Sequence, residues 1–229
     1  MRANYLAVRR RVDAACKRVG RAESEVTLIA VRKGHPSSSI EAAYEAGCLD
    51  FGENKVQEWA DKQGRLSRRI RWHFIGHLQR NKVKYLGDDL TLIHSLDSVR
   101  LARELEKRAG APQDVLLQVN IGSEEQKGGV EAGELDELAR LCAKSPVLRA
   151  VGLMCIPPFE EDPEKSRPRF KRMRTLLDET RQVIASVDEY AAQHFVELSM
   201  GMSSDYEVAV EEGATLVRVG TAIMGEREY

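Results

Sequence analysis

Lys33 follows an apolar run in VTLIAVRKGHP, where a Gly, a His and a Pro then end the segment. A lysine at the exit of a buried strand is a surface cation when water reaches it. Held in a partly desolvated mouth, it loses its proton and can attack an aldehyde to form an imine. A second group of residues lies far along the chain. Ser199, Met200, Gly201, Met202, Ser203 and Ser204 form a small, glycine-containing turn ahead of a helical pattern, and Gly220 and Thr221 follow the apolar stretch TLVRV. Turns of this kind leave backbone N–H groups free for an anion such as phosphate. Ser204 and Glu207 have the spacing of a capping box, and Gly213 is placed as a helix stop.

Arg218 sits inside that last apolar stretch. By strand alternation it shares a face with Leu216, while Val217 and Val219 take the other. A buried guanidinium needs a partner. The sequence offers a carboxylate such as Glu197, or else a ligand's ring or phosphate. Glu53, Asn54 and Lys55 follow another short apolar run, and His77, Gln79 and Asn81 follow a third. His73 and His77 are spaced as H-x-x-x-H, but Gly76 interrupts any helix and no Glu follows His73, which argues against a zinc site; His77 reads as a polar lining residue.

These residues must be positioned by the elements around them. Short apolar runs at 26–31, 49–51, 72–75, 91–94, 115–119, 150–154, 195–198 and 215–219 read as strands. Helical patterns lie between them at 40–46, 56–66, 78–86, 99–109, 135–142, 170–187 and 206–212. Alternation of this kind demands a parallel sheet. Eight units predict an α/β fold, a single (β/α)8 TIM-type barrel over residues 1–229, with no second domain and its chemistry at the carboxyl ends of the strands. The shortness of several strands leaves a doubly wound open sheet as the alternative. Tyr5, Val8, Val12, Ala15, Cys16 and Val19 recur at helical spacing, and Gly20 follows. This opening helix is expected to cover the flank that a short final segment leaves bare.

Composition narrows the function classes. With 35 basic against 36 acidic residues, no global field favours nucleic acid or an anionic membrane. The basic clusters at 9–11 and at Arg65, Arg68, Arg69 and Arg71 read as solvated helix faces. The four cysteines form no C-x-x-C pair, which fits a reducing cytoplasm, and no apolar run is long enough to span a membrane. The amphipathic helices suggest a monomer.

AVRKGHP, FGENKVQE, WHFIGHLQRNK, QVNIGSEEQKGG, GLMCIPP and ELSMGMSSDYEVAVEEG with VRVGTAIMG, in this order and spacing, resemble the pyridoxal phosphate homeostasis protein family. The resemblance runs over nearly the whole chain. It implies a barrel similar to the N-terminal domain of alanine racemase, of fold type III, with pyridoxal 5′-phosphate (PLP) as cofactor. Lys33 would hold PLP as a reversible Schiff base. Ser199, Met200, Gly201, Gly220 and Thr221 would hold its phosphate, largely through backbone amides. Arg218 would face the pyridine nitrogen, and Asn54 matches a motif position at the site. An arginine there disfavours protonation of that nitrogen and makes the ring a poorer electron sink. No second proton-transfer group is evident, so the resemblance implies a carrier that buffers PLP and supplies apoenzymes, not an enzyme. A PLP-dependent racemase or lyase is the alternative, followed by an aldolase using Lys33 without cofactor. One departure stands out: Arg32 occupies a position where the family usually has a small hydroxyl residue.

Overall fold

The computed structural model describes residues 1–32, 37–60, 69–122 and 128–225. Eight parallel strands close into a barrel in chain order: β1 (Thr27–Val31), β2 (Asp50–Glu53), β3 (Arg71–Phe74), β4 (Leu92–Leu96), β5 (Gln113–Val119), β6 (Leu148–Cys155), β7 (Glu197–Ser199) and β8 (Leu216–Val219). β8 pairs back onto β1 with Ile29 opposite Arg218, so the open-sheet alternative is set aside.

Strand alternation divides the apolar residues into two populations. Ile29, Leu92, Leu116, Met154 and Leu216, contributed by five different strands, meet inside the barrel. Leu28, Phe51, Phe74, Leu117 and Val217 face outward into the larger core beneath the helices. Both faces of each strand are therefore buried, which is why the strands read as continuous apolar runs. One close approach depends on glycine. A β-carbon on Gly152 of β6 would lie 1.9 Å from the Glu197 carbonyl oxygen of β7, so no other residue fits that pairing.

Around the barrel lie α1 (Arg2–Arg18), α2 (Ser37–Glu45), α3 (Val56–Ala60), α4 (Val99–Arg108), α5 (Ala132–Lys144), α6 (Arg167–Ala185), α7 (Glu189–His194), α8 (Tyr206–Glu211) and α9 (Thr221–Met224). As expected, α1 closes the flank beside the short α9. Its buried stripe, from Tyr5 to Cys16, packs against α8 and α9. Asn4 donates to the Ile223 carbonyl, and Arg21 donates to the carbonyls of Val210 and Ala214. On α6, Phe170, Met173, Leu176, Leu177 and Ile184 are buried and Val183 is half-buried, while the helix ends at Ala185 and leaves the half-buried Val187 beyond it.

Three expectations are corrected. The segment expected to be helical over 78–86 is a 3-10 helix, Arg80–Tyr85, because Val83 and Leu86 are both buried and the bonds run from Lys82 N–H to the Gln79 carbonyl and from Leu86 N–H to that of Val83. Arg71 is not on a helix face. It opens β3 and grips both carboxylate oxygens of Asp50, at 2.7 and 2.6 Å. The expected capping box at Ser204 does not form: α8 starts one residue later, behind Asp205, and Glu207 instead pairs with Arg11 and Arg18. Gly213 does stop the helix, at φ +102°.

Candidate functional site

At the carboxyl end of β1, Lys33, Gly34, His35 and Pro36 lie outside the described residues. The Ile29 and Val31 side chains both come within 3.4 Å of where a β-carbon on Gly52 would sit, so they face the interior together. Arg32, the residue after Val31, is buried; burial raises the Glu53 carboxyl, and the Arg32 charge is among the groups that oppose that shift.

Asn54 follows Gly52 by two residues, at the mouth end of β2. Its Oδ1 is buried and has no hydrogen-bond partner among the described residues. An orphan acceptor of this kind usually marks a ligand or water position.

The ends of β7 and β8 form a cup. Gly201 has φ +91°, and its carbonyl accepts from Arg218 N–H at 3.0 Å, continuing the strand pairing beyond Ser199. A β-carbon there would lie 2.6 Å from Ala209 Cβ, so glycine lets α8 begin directly against the turn. Gly220 opens α9, its carbonyl accepting from Ile223 and Met224 N–H. Among the described residues, the amides of Ser203, Ser204, Thr221 and Ala222 donate to no backbone acceptor. Thr221 is exposed at this rim, whereas Met200 is fully buried and its amide is taken by the Leu216 carbonyl.

Beneath the cup lies Arg218, 4% exposed. Of the two partners the sequence offers, the Glu197 carboxylate is not used: Glu197 opens β7 at the amino end of the barrel and accepts from the Thr215 hydroxyl. Arg218 instead donates through Nη1 to Ser199 Oγ at 2.5 Å and through Nη2 to the Cys155 carbonyl at 2.8 Å. Burial lowers the guanidinium's proton affinity, opposed by the nearby Cys155 and Asp205. Ser199 is fully buried, so its hydroxyl serves Arg218 and not the open rim.

Sequence reading missed the residues behind Ser199. His94 Nδ1 lies 2.8 Å from Ser199 Oγ, His94 Nε2 lies 3.0 Å from His73 Nδ1, and His73 Nε2 lies 3.1 Å from Asp50 Oδ1. This buried polar chain crosses the barrel interior and ends on the Asp50–Arg71 pair. There it meets a cavity of about 770 Å³ on the amino-terminal face, lined in part by Thr27, Asp50, Arg71, His73 and Glu197. The available signal was alternation: two histidines at inward positions of otherwise apolar strands must find partners inside. His77, by contrast, is exposed and sits 3.3 Å from Asp97.

The chain makes stability depend on pH. Burial, with His73 and Arg218 as neighbours, holds His94 well below its ordinary 6.5. The unfolded chain therefore takes up a proton that the folded barrel refuses. Stability is fully present above pH 6.5 and falls below it, by up to about 1.4 kcal/mol per pH unit for one such group. Burial raises Asp50, but hydrogen bonds from Arg71 and His73 outweigh it and hold the carboxyl below its ordinary 3.8, so its contribution is lost only at lower pH. Urea midpoints should fall between pH 7 and 5 in the wild type and fall less in His94→Gln. Equal slopes would assign the dependence elsewhere.

The alanine racemase N-terminal domain family matches residues 4–228. The chain is 48% identical over 225 residues to the pyridoxal phosphate homeostasis protein of Aquifex aeolicus, covering 96% of this chain and 95% of that protein. Among solved structures, it is similar to a protein of Bifidobacterium adolescentis described as unknown, with 34% identity, 97% and 93% coverage and a TM-score of 0.88. It is also similar to PipY of Synechococcus elongatus with PLP bound, with 35% identity, 94% and 100% coverage and a TM-score of 0.78.

Proposed function

Since the chain belongs to the pyridoxal phosphate homeostasis proteins, within the alanine racemase N-terminal domain family, we propose that it binds PLP at the carboxyl end of its barrel and serves PLP homeostasis. One observation carries this reading. The glycine turns after β7 and β8 leave amides free just beyond a buried Arg218 that Ser199 and Cys155 orient, and Asn54 Oδ1, after β2, has no hydrogen-bond partner among the described residues. Bound PLP supplies an aldehyde that an amine can take up reversibly and a ring that withdraws electrons.

The residues divide the work. Lys33 is the amine that takes the aldehyde. Gly201, Gly220 and Thr221, with the free amides of Ser203, Ser204 and Ala222, receive the phosphate by backbone hydrogen bonds. Ser199 and Met200 act from behind. The Ser199 hydroxyl holds Arg218, and Met200 anchors the turn in the outer core. Arg218 keeps its charge against the ring nitrogen and so disfavours protonation there. Asn54 Oδ1 accepts a hydrogen bond from the ligand or from a water it orders. The protein acts in the cytoplasm as a monomer, buffers the reactive aldehyde and supplies it to apoenzymes. Among the described residues, no helix is long and apolar enough to cross a membrane.

Incubating PLP-loaded protein with L- and D-amino acids in deuterated water separates this role from that of a racemase or lyase. A carrier leaves the α-proton in place over hours. Exchange at turnover rates would establish an enzyme instead.

A further inference from the structure

We propose that His94 and His73 are positioning residues for Arg218, joined in a buried relay whose protons all point toward Asp50. Hydrogen-bond bookkeeping leads to this order. Asp50 meets both Arg71 and His73, so the carboxylate accepts and His73 Nε2 carries a proton. Arginine only donates, so Ser199 Oγ accepts at the other end. Between these fixed ends, two proton orders remain.

In the first order, both histidines are neutral and carry their proton on Nε2. His94 donates to His73, and the Ser199 hydroxyl donates to His94 Nδ1. Every group is satisfied. In the second order, His73 carries an extra proton and the direction reverses. Ser199 Oγ then accepts from both Arg218 and His94, and its own proton is left without an acceptor among the described residues. The surrounding interior is apolar, lined by Ile29, Leu92, Leu116 and Leu216, and Ser199 is fully buried, so an unsatisfied hydroxyl there is costly. The first order prevails. The low proton affinity of His94 agrees with it.

The relay has a consequence at the mouth. With its hydroxyl proton committed to His94, Ser199 must offer Arg218 a lone pair. Together with the Cys155 carbonyl, this pins both terminal nitrogens of the guanidinium. Two of its five N–H groups are used below the cup, and the plane of the group is fixed before any ligand arrives. Asp50 and Arg71, at the opposite end of the barrel, thereby set the geometry of a cation at the binding end. What this does to the ligand rests on the PLP reading above; the proton order does not.

The test has two arms. In ligand-free wild-type protein labelled with ¹⁵N-histidine, long-range ¹H–¹⁵N spectra at pH 7.5 should show His73 and His94 as neutral Nε2–H tautomers. An imidazolium or an Nδ1–H tautomer at either residue would overturn the relay. This reading stands whether or not PLP binds or any variant folds. The second arm compares His94→Leu, which cannot accept from Ser199, with His94→Gln, which can accept and donate. PLP affinity should drop about tenfold in His94→Leu, the loss expected for roughly one hydrogen bond's worth of alignment. The absorption band of the bound ligand should also shift, and His94→Gln should recover most of both. Unchanged affinity and spectrum in a folded His94→Leu would overturn the positioning role. Failure of the wild type to bind PLP would reject the functional reading and leave the tautomer result to decide the relay.

Discussion

Replacing Lys33 with Ala is expected to convert a protein that retains PLP through gel filtration into one that loses it. Reversible covalent attachment is the strongest single interaction proposed at the mouth. Without it, PLP is held only by hydrogen bonds and charge, from the cup amides, Arg218 and Asn54. Affinity should fall on the order of 100-fold, or about 2.7 kcal/mol. The absorption of the bound ligand should also revert to that of free aldehyde. Lys33→Ala should leave the urea midpoint nearly unchanged, since β1 ends at Val31, two residues before it. A spectrophotometric titration and an unfolding curve on the same preparation separate loss of attachment from loss of fold.

Gly201→Ala should produce the second large effect, through backbone geometry. At φ +91° an alanine is strained by about 1–3 kcal/mol, and its β-carbon would lie 2.6 Å from Ala209 Cβ. Relief requires α8 to move away from the turn, carrying the Ser203 and Ser204 amides with it. Stability should fall by about 2–4 kcal/mol in urea unfolding, and PLP affinity by at least tenfold. Gly213→Ala is the matched control. It has a comparable φ, +102°, but its β-carbon would meet only the flexible Arg174 side chain, at 3.5 Å. It should cost about 1–2 kcal/mol of stability and leave PLP affinity unchanged. Equal affinity losses in both variants would mean that strain alone, and not the position of the cup, governs binding.

The period of the strands carried most of the fold into view. Runs such as TLIAV and LVRV are apolar on both faces because helices and barrel interior bury both, so their number and order were legible. Alternation also placed Arg218 inward. Its partner was not legible, because Glu197 and Ser199 share one face of β7; the register pairs Ser199 with Leu216, and the guanidinium of Arg218 reaches Ser199 Oγ only in the closed barrel. The relay was hidden for a similar reason. His94 and Ser199 are 105 positions apart and meet only when the barrel closes. Local chemistry misled in two places. Ser204 has the spacing of a cap, yet Asp205 precedes the first helical residue and accepts the Met202 amide. At 78–86 the apolar spacing suits an α-helix, but the segment tightens to a 3-10 turn that holds the Leu86 carbonyl against Trp59 Nε1.

The central claim is that PLP is held on Lys33 at the open end of this barrel. Borohydride reduction of the PLP-loaded protein, followed by proteolysis and mass spectrometry of the peptides, tests it most directly. The expected result is one stable phosphopyridoxyl adduct, on Lys33. An adduct on Lys55 or Lys82 in its place, or none on a protein that has taken up PLP, would contradict it.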